Sequence, residues 1–191
     1  MDEIAKELSL NLNRIPTDRI EAAKNEVGEF IVNEILRSVS SGRSPVMGRG
    51  SFKALNAEYA EAEKGGNRLA NLELEGDMLD ALEYRPTGVG VKVGIFESSQ
   101  VPKADGHNNF SGDSKLPTRR FIPDSSESFN PRIENGINRI LDGYRVDDQG
   151  RDIFDLNEDL FSPRLESAVL IDTDSISIEE VLASLGGDSI V

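Results

Sequence analysis

His107 is the only histidine of this chain and cysteine is absent, so its capacity for acid–base, nucleophilic or metal chemistry narrows at once. A histidine base needs a nucleophile or an orienting acid beside it, and a metal centre needs several good ligands. Asp105 and Asp113 lie near His107 in sequence, but Gly106-His107-Asn108-Asn109 sits in a Gly/Asn/Ser stretch and reads as an exposed turn. The lack of Cys excludes disulfides, thiolate zinc sites and thiol nucleophiles together. No nucleophile, base and orienter can be assembled, so the chain is read as a non-enzyme with no catalytic residue, cofactor or metal.

Three further patterns have chemical overtones. Asp155-Leu156-Asn157-Glu158-Asp159 with Glu166 at the twelfth position follows part of a calcium-loop pattern. Leu160 stands where the sharp turn requires Gly, and Pro163 interrupts the exit, so the stretch reads as a solvated acidic linker. Gly88-Val89-Gly90 with Gly94 lacks dinucleotide-loop spacing and lies before or within a strand. Gly48-Arg49-Gly50-Ser51 lacks the lysine of a phosphate loop. What remains is a set of basic residues in expected loops: Arg43, Arg49, Lys53, Lys103, Lys115, Arg119 and Arg120. Against an acidic background these suit an interface with an acidic neighbour, Arg especially because of its planar fork.

The acidic background is uneven. Thirty-five acids against 21 bases leave a net charge of −14, which opposes coating nucleic acid through phosphate contacts. From Val146 onward twelve acids face only Arg151 and Arg164, so this stretch carries −10 of the total. No apolar run approaches bilayer length and Met1-Asp2-Glu3 is acidic, so a cytosol-like compartment without membrane association is expected. At 191 residues with 6% aromatics and no Trp, the chain suits one modestly stable domain plus an extension.

The elements that must position these residues follow from period and punctuation. Ile4, Leu8 and Leu12 share one helical face and predict a short amphipathic helix over Met1–Leu12. Thr17-Asp18, with Glu21 near the capping-box position, opens a helix over 18–39 whose stripe is Ile20, Ala23, Val27, Phe30, Ile31 and Ile35. After a Gly/Pro/Arg loop to Gly50, Ser51 is expected to cap a helix bearing Phe52, Leu55, Tyr59 and Ala62, ended by Gly65-Gly66. Met78, Leu79, Ala81 and Leu82 suit a short helix. Glu83–Arg85 and Val89–Phe96 flank Pro86-Thr87-Gly88 and predict a hairpin with Val89, Val91, Val93 and Ile95 on its apolar face. A long polar loop follows, 98–120, after which Phe121 and Ile122 are expected to pair with the sheet. Asn130-Pro131 starts a helix with Ile133, Ile137, Ile140 and Leu141 inward, closed by Gly143. Beyond it, a strand over 168–171 and a capped helix over 177–185 are expected in a docking extension.

The fold class is therefore α+β: a small, mainly antiparallel sheet, packed on one face by the long N-terminal helix and a later helix. The division is a domain over 1–145 and an acidic extension over 146–191.

The order of these motifs resembles a family. It comprises a long helix, a Gly/Pro loop, Leu55 and Tyr59 before Lys64-Gly65-Gly66, and Asn71-Leu72 with Gly76-x-Met78-Leu79-x-Ala81-Leu82. Then come Val91-x-Val93-Gly94-Ile95-Phe96, Leu116-Pro117-Thr118-Arg119-Arg120-Phe121-Ile122-Pro123 and a last helix. It is similar, over about 17–145, to the virion-morphogenesis proteins of tailed bacteriophages, the neck or tail-completion proteins of the head–tail junction. The resemblance implies a structural virion subunit assembled in the host cytoplasm as a ring, hexameric by analogy with the sixfold tail or dodecameric like the portal. Its partners would be itself, portal or connector proteins, and the tail terminator or tail tube. DNA would pass through the channel without specific binding. The expected contact residues are Arg43, Arg49, Lys103, His107, Lys115, Arg119, Arg120 and Phe121, on loops 40–50 and 98–120 that reach between rings, with the acidic extension on a neighbouring subunit. The alternatives are a tail terminator and, from a different class, a calcium-responsive binding module using Asp155–Glu166.

Overall fold

The computed structural model describes residues 2–72, 77–109 and 117–153. In chain order the elements are β1 (Ile4–Ser9), a 3-10 turn (Thr17–Arg19), α1 (Ile20–Ser40), α2 (Ala57–Glu63), α3 (Asp77–Asp80), β2 (Leu82–Pro86), β3 (Gly90–Ile95), α4 (Val101–Asn108) and α5 (Pro131–Tyr144). They form the expected α+β fold, with an antiparallel sheet in the order β1-β3-β2.

The first strand corrects the helix expected over Met1–Leu12. Ile4, Leu8 and Leu12 are four apart, a spacing that is one turn of helix but also two full periods of a strand. Strand pairing prevails: Ile4 lies opposite Ile95, Lys6 opposite Val93 and Leu8 opposite Val91. On the other side of β3, Leu82 and Tyr84 oppose Ile95 and Val93. Val91, Val93 and Ile95 are buried, whereas Val89, expected on the same face, sits in the turn and is exposed. That turn is closed by Thr87 donating its amide to the Gly90 carbonyl at 2.8 Å.

Helix α1 lies across β2 and β3, and α5 packs against α1. The buried residues of α5, Ile133, Ile137 and Leu141, share one core with α1 and with Val91, Val93 and Ile95 of the sheet. Ala23, Val27, Ile31, Ile35 and Val39 are fully buried along α1, each four residues or fewer from the next as a helical stripe requires. The stripe also holds two buried charges. Lys24 Nζ donates to the Thr87 carbonyl at 2.8 Å and pairs with Glu21 at 2.9 Å, fastening the hairpin turn to the helix. Glu34 pairs with Arg132 of α5 at 2.7 Å. The N-terminus differs from expectation, because a 3-10 turn precedes Ile20 and no side chain caps it.

Asn56, rather than Ser51, caps the second helix, accepting from the Glu58 amide at 2.9 Å. Ser51 bridges Arg43 instead, and Gly65-Gly66 ends α2 with positive φ at both residues. Helix α5 starts as its sequence predicts, with the Asn130 side chain accepting from the Arg132 and Ile133 amides at 3.0 and 3.2 Å and Pro131 in the first turn. It continues past Gly143 to Tyr144. Nothing lies within 4 Å of where a Cβ on Gly143 would stand, so Gly143→Ala is expected to raise stability by about 0.5–1 kcal/mol. A lowered urea midpoint would contradict this.

The first compact unit runs on past residue 145. Val146 donates its amide to the Arg14 carbonyl at 2.9 Å and bridges Asp152, which pairs with Arg19 at 2.5 Å. Residues 146–153 therefore belong to the domain rather than to the extension. The strand expected over 168–171, the helix over 177–185 and the Asp155–Glu166 segment lie outside the described residues. Among the described residues, no helix is long and apolar enough to cross a membrane.

Candidate interface

The stretch expected to be a long surface loop contains α4. Pro102 supplies a preset φ in its first turn, and Val101, Ala104 and Asn108 are buried at i, i+3 and i+7. The polar composition concealed this spacing. His107, expected in an exposed turn, is on the last turn of α4 and half-buried.

Asn108 is the hinge of the arrangement. It is 3% exposed, and its Oδ1 accepts from the Phe121 and Ile122 amides at 2.9 Å each, while Nδ2 donates to the Ile122 carbonyl at 2.9 Å. One side-chain amide thus supplies the backbone partners that the expected pairing of Phe121 and Ile122 with the sheet would have provided. Both residues enter the core fully buried, Phe121 at 0% exposure. Phe121, expected at the interface, is a core residue.

Arg120 is likewise drawn inward. Its Nη1 donates to Asp124 at 2.5 Å and Glu127 at 2.7 Å, its Nε to the Asn108 carbonyl at 3.1 Å, and its Nη2 to Asn109 Oδ1 at 3.2 Å. Glu127 also receives Arg49 at 2.6 Å. Lys6 of β1 donates to the Asp124 and Glu127 carbonyls at 2.7 and 2.6 Å, and Ser44 Oγ donates to the Arg120 carbonyl at 2.6 Å. Loop 40–50, α4, β1 and the 119–128 segment are thereby joined in one polar network. Lys6, Asp124 and Glu127 were not singled out in the sequence, although Asp124 and Glu127 stand four and seven residues after Arg120; Asn108 was read as part of an exposed polar loop.

Arg119 is 6% exposed, also contrary to a surface role. Its amide donates to the His107 carbonyl at 2.7 Å and its Nη2 to the Lys53 carbonyl at 3.5 Å. Of the other expected contact residues, Arg43 and Lys103 are exposed; Lys103 lies 4.0 Å from Asp77. Among the described residues, no hydrogen bond or ion pair ties either to the Arg119–Arg120 network. Lys115 lies outside the described residues. In loop 40–50, Val46 bridges Phe129, and Asn130 donates to the Pro45 carbonyl at 2.8 Å. Only its tip, Met47-Gly48-Arg49-Gly50, is exposed throughout.

The network sets two pH dependences of the same sign. Hydrogen bonds from Ser126 and from Arg120 hold the Asp124 carboxyl at about 2, below its usual 3.8. Burial, and then the neighbouring Arg119 charge, hold His107 below its usual 6.5. A folded-state value below the unfolded one gives stability that is complete above the unfolded value and is lost as pH falls through the folded one. Thermal stability is therefore expected to decline in two limbs, the upper beginning near pH 6.5 and the lower between 3.8 and about 2. His107→Gln should remove the upper limb and Asp124→Asn reduce the lower; melting curves unchanged in shape by both would contradict this assignment.

Among the described residues no group of three or more His, Asp or Glu is placed to hold a metal ion. No family model, curated protein or solved structure matches the chain.

Proposed function

We propose that the chain is a structural virion subunit of a tailed bacteriophage, forming a ring at the head–tail junction and joining connector to tail. One conjunction carries this reading. The motif order that resembles the neck and tail-completion proteins lies in a single domain whose sheet ends on both sides in a strand, β1 and β2, with no further strand beside it among the described residues. Edge strands are templates for pairing with another chain. When β1 of one copy meets β2 of the next, the interface is heterologous and generates a ring wherever the rotation closes.

The Arg120–Asn108 network fastens the described parts of the stretch that was expected to be a long polar contact loop. Contact with the adjoining ring falls instead to the Met47–Gly50 tip and to exposed side chains such as Arg43 and Lys103. The acidic balance of the whole chain suits a channel through which DNA passes without adhering.

The test is electron microscopy of the purified chain mixed with portal complexes and, separately, with tail tubes of the same virus. Rings on the portal that then accept tails support the joining role. Rings on tail ends only make the chain a terminator, and attachment to neither overturns the reading.

A further inference from the structure

Arg119 is a cation buried without a counter-ion among the described residues. At 6% exposure it ranks with the core, yet its Nε has no hydrogen-bond partner, and among the described residues its side chain makes only the 3.5 Å contact from Nη2 to the Lys53 carbonyl. Its neighbour Arg120 has two carboxylates within 2.7 Å. Beside Arg119, His107 Nδ1 is also buried without a partner. Burying a guanidinium removes its hydration, a cost normally offset by a paired carboxylate and full hydrogen bonding. Here Nε and Nη2, the two donors along one edge of the guanidinium, are free or weakly engaged. That edge is the one that takes a carboxylate side-on with two parallel hydrogen bonds. Tyr59, 40% exposed on α2, lies close enough to act on Arg119 electrostatically.

We propose that Arg119, with His107 beside it, is a receiving site for a carboxylate presented by the acidic C-terminal stretch of a second copy of the chain. Charge complementarity selects this occupant: from Phe154 onward the sequence carries nine acids against a single base, Arg164. Asp172, Asp174, Glu179 and Glu180 stand there among Leu170, Ile171, Ile176, Ile178, Val181 and Leu182. The proposal rests on the self-assembly reading above, but peptide binding and ring formation are measured separately, so either can fail alone.

Because His107 is the only histidine, its ring resonances report the site without ambiguity. The receiver is the full-length chain carrying Asp172→Asn, Asp174→Asn, Glu179→Gln and Glu180→Gln, labelled at histidine. The probe is a synthetic peptide with the sequence of residues 170–185. Saturable movement of the His107 resonances is expected, with the midpoint of its titration rising by about one pH unit because a nearby carboxylate favours the imidazolium. The same peptide with its four acids as amides should have no effect. Arg119→Lys, which keeps the charge but not the fork, should weaken binding at least tenfold while the melting curve remains cooperative. No movement at millimolar peptide, or equal movement with the amide peptide, would overturn the proposal. So would a fall in the His107 midpoint on Asp113→Asn alone, which would place the carboxylate within the same domain.

Discussion

Asn108→Ala is expected to lower the unfolding free energy by about 3 kcal/mol, since it strands two backbone N–H groups and one carbonyl in a site that water does not reach. Asn108 is 3% exposed and bonds to Phe121 and Ile122 through all three contacts at 2.9 Å. Asn108→Asp tests the polarity of the arrangement: it keeps both accepted bonds but turns the donor facing the Ile122 carbonyl into an acceptor. It should cost at least as much near neutral pH and recover partly in acid as the carboxyl protonates. Urea denaturation of the three proteins measures this. A change within 1 kcal/mol for the alanine variant, below the cost of one stranded group, would mean that the 121–122 backbone is held by other means.

The second large effect lies at the β1–β3 seam. A Cβ on Gly90 would stand 1.9 Å from the Leu8 carbonyl oxygen, and one on Gly94 2.3 Å from that of Ile4 and 2.5 Å from the Ala5 Cα. These are backbone atoms, which cannot rotate aside as a side chain does. Either Gly→Ala change is therefore expected to cost about 3 kcal/mol, the upper range of overpacking, by forcing β1 off the sheet. The double variant should cost less than the sum, because β1 can be displaced only once. Hydrogen exchange gives the local readout: Glu7 and Lys92 face each other across the seam, and protection along β1 should fall while α5 keeps its own. Unchanged protection at β1 would show that the strands can separate slightly without loss of pairing.

These two sites show where the sequence is readable. Helix α5 is legible because its signals agree: Asn130-Pro131 sets the start, and Ile133, Ile137 and Leu141 set the buried face. The β2–β3 hairpin is legible for the same reason, a turn signal between alternating runs. Strand β1 is not, because residues four apart satisfy helix and strand alike, and only the partner β3 resolves the choice. Helix α4 was hidden by composition, since Lys103, Asp105, His107 and Asn109 look solvated while Val101, Ala104 and Asn108 carry the burial.

Three of the expected contact residues, Arg119, Arg120 and Phe121, were misplaced for a related reason. Charge suggests surface, and most arginines do lie there. Arg119 is buried and reaches the distant Lys53 carbonyl, while Arg120 is half-buried and pairs with Asp124 and Glu127, four and seven residues further along the chain. Nothing within the Thr118-Arg119-Arg120-Phe121 motif distinguishes an exposed basic pair from one that braces the core. Phe121 was the available clue, as a large aromatic beside the pair is more often core than contact.

The central claim is that this domain assembles into a closed ring at a virion junction, and the mass of the purified full-length chain by light scattering, alone and with the portal complex, tests it most directly. The account predicts either a ring in solution, about 125 kDa for six copies of 20.9 kDa, or a single chain that becomes a ring only on the portal. A single chain of 20.9 kDa that ignores both the portal and the tail tube would contradict it.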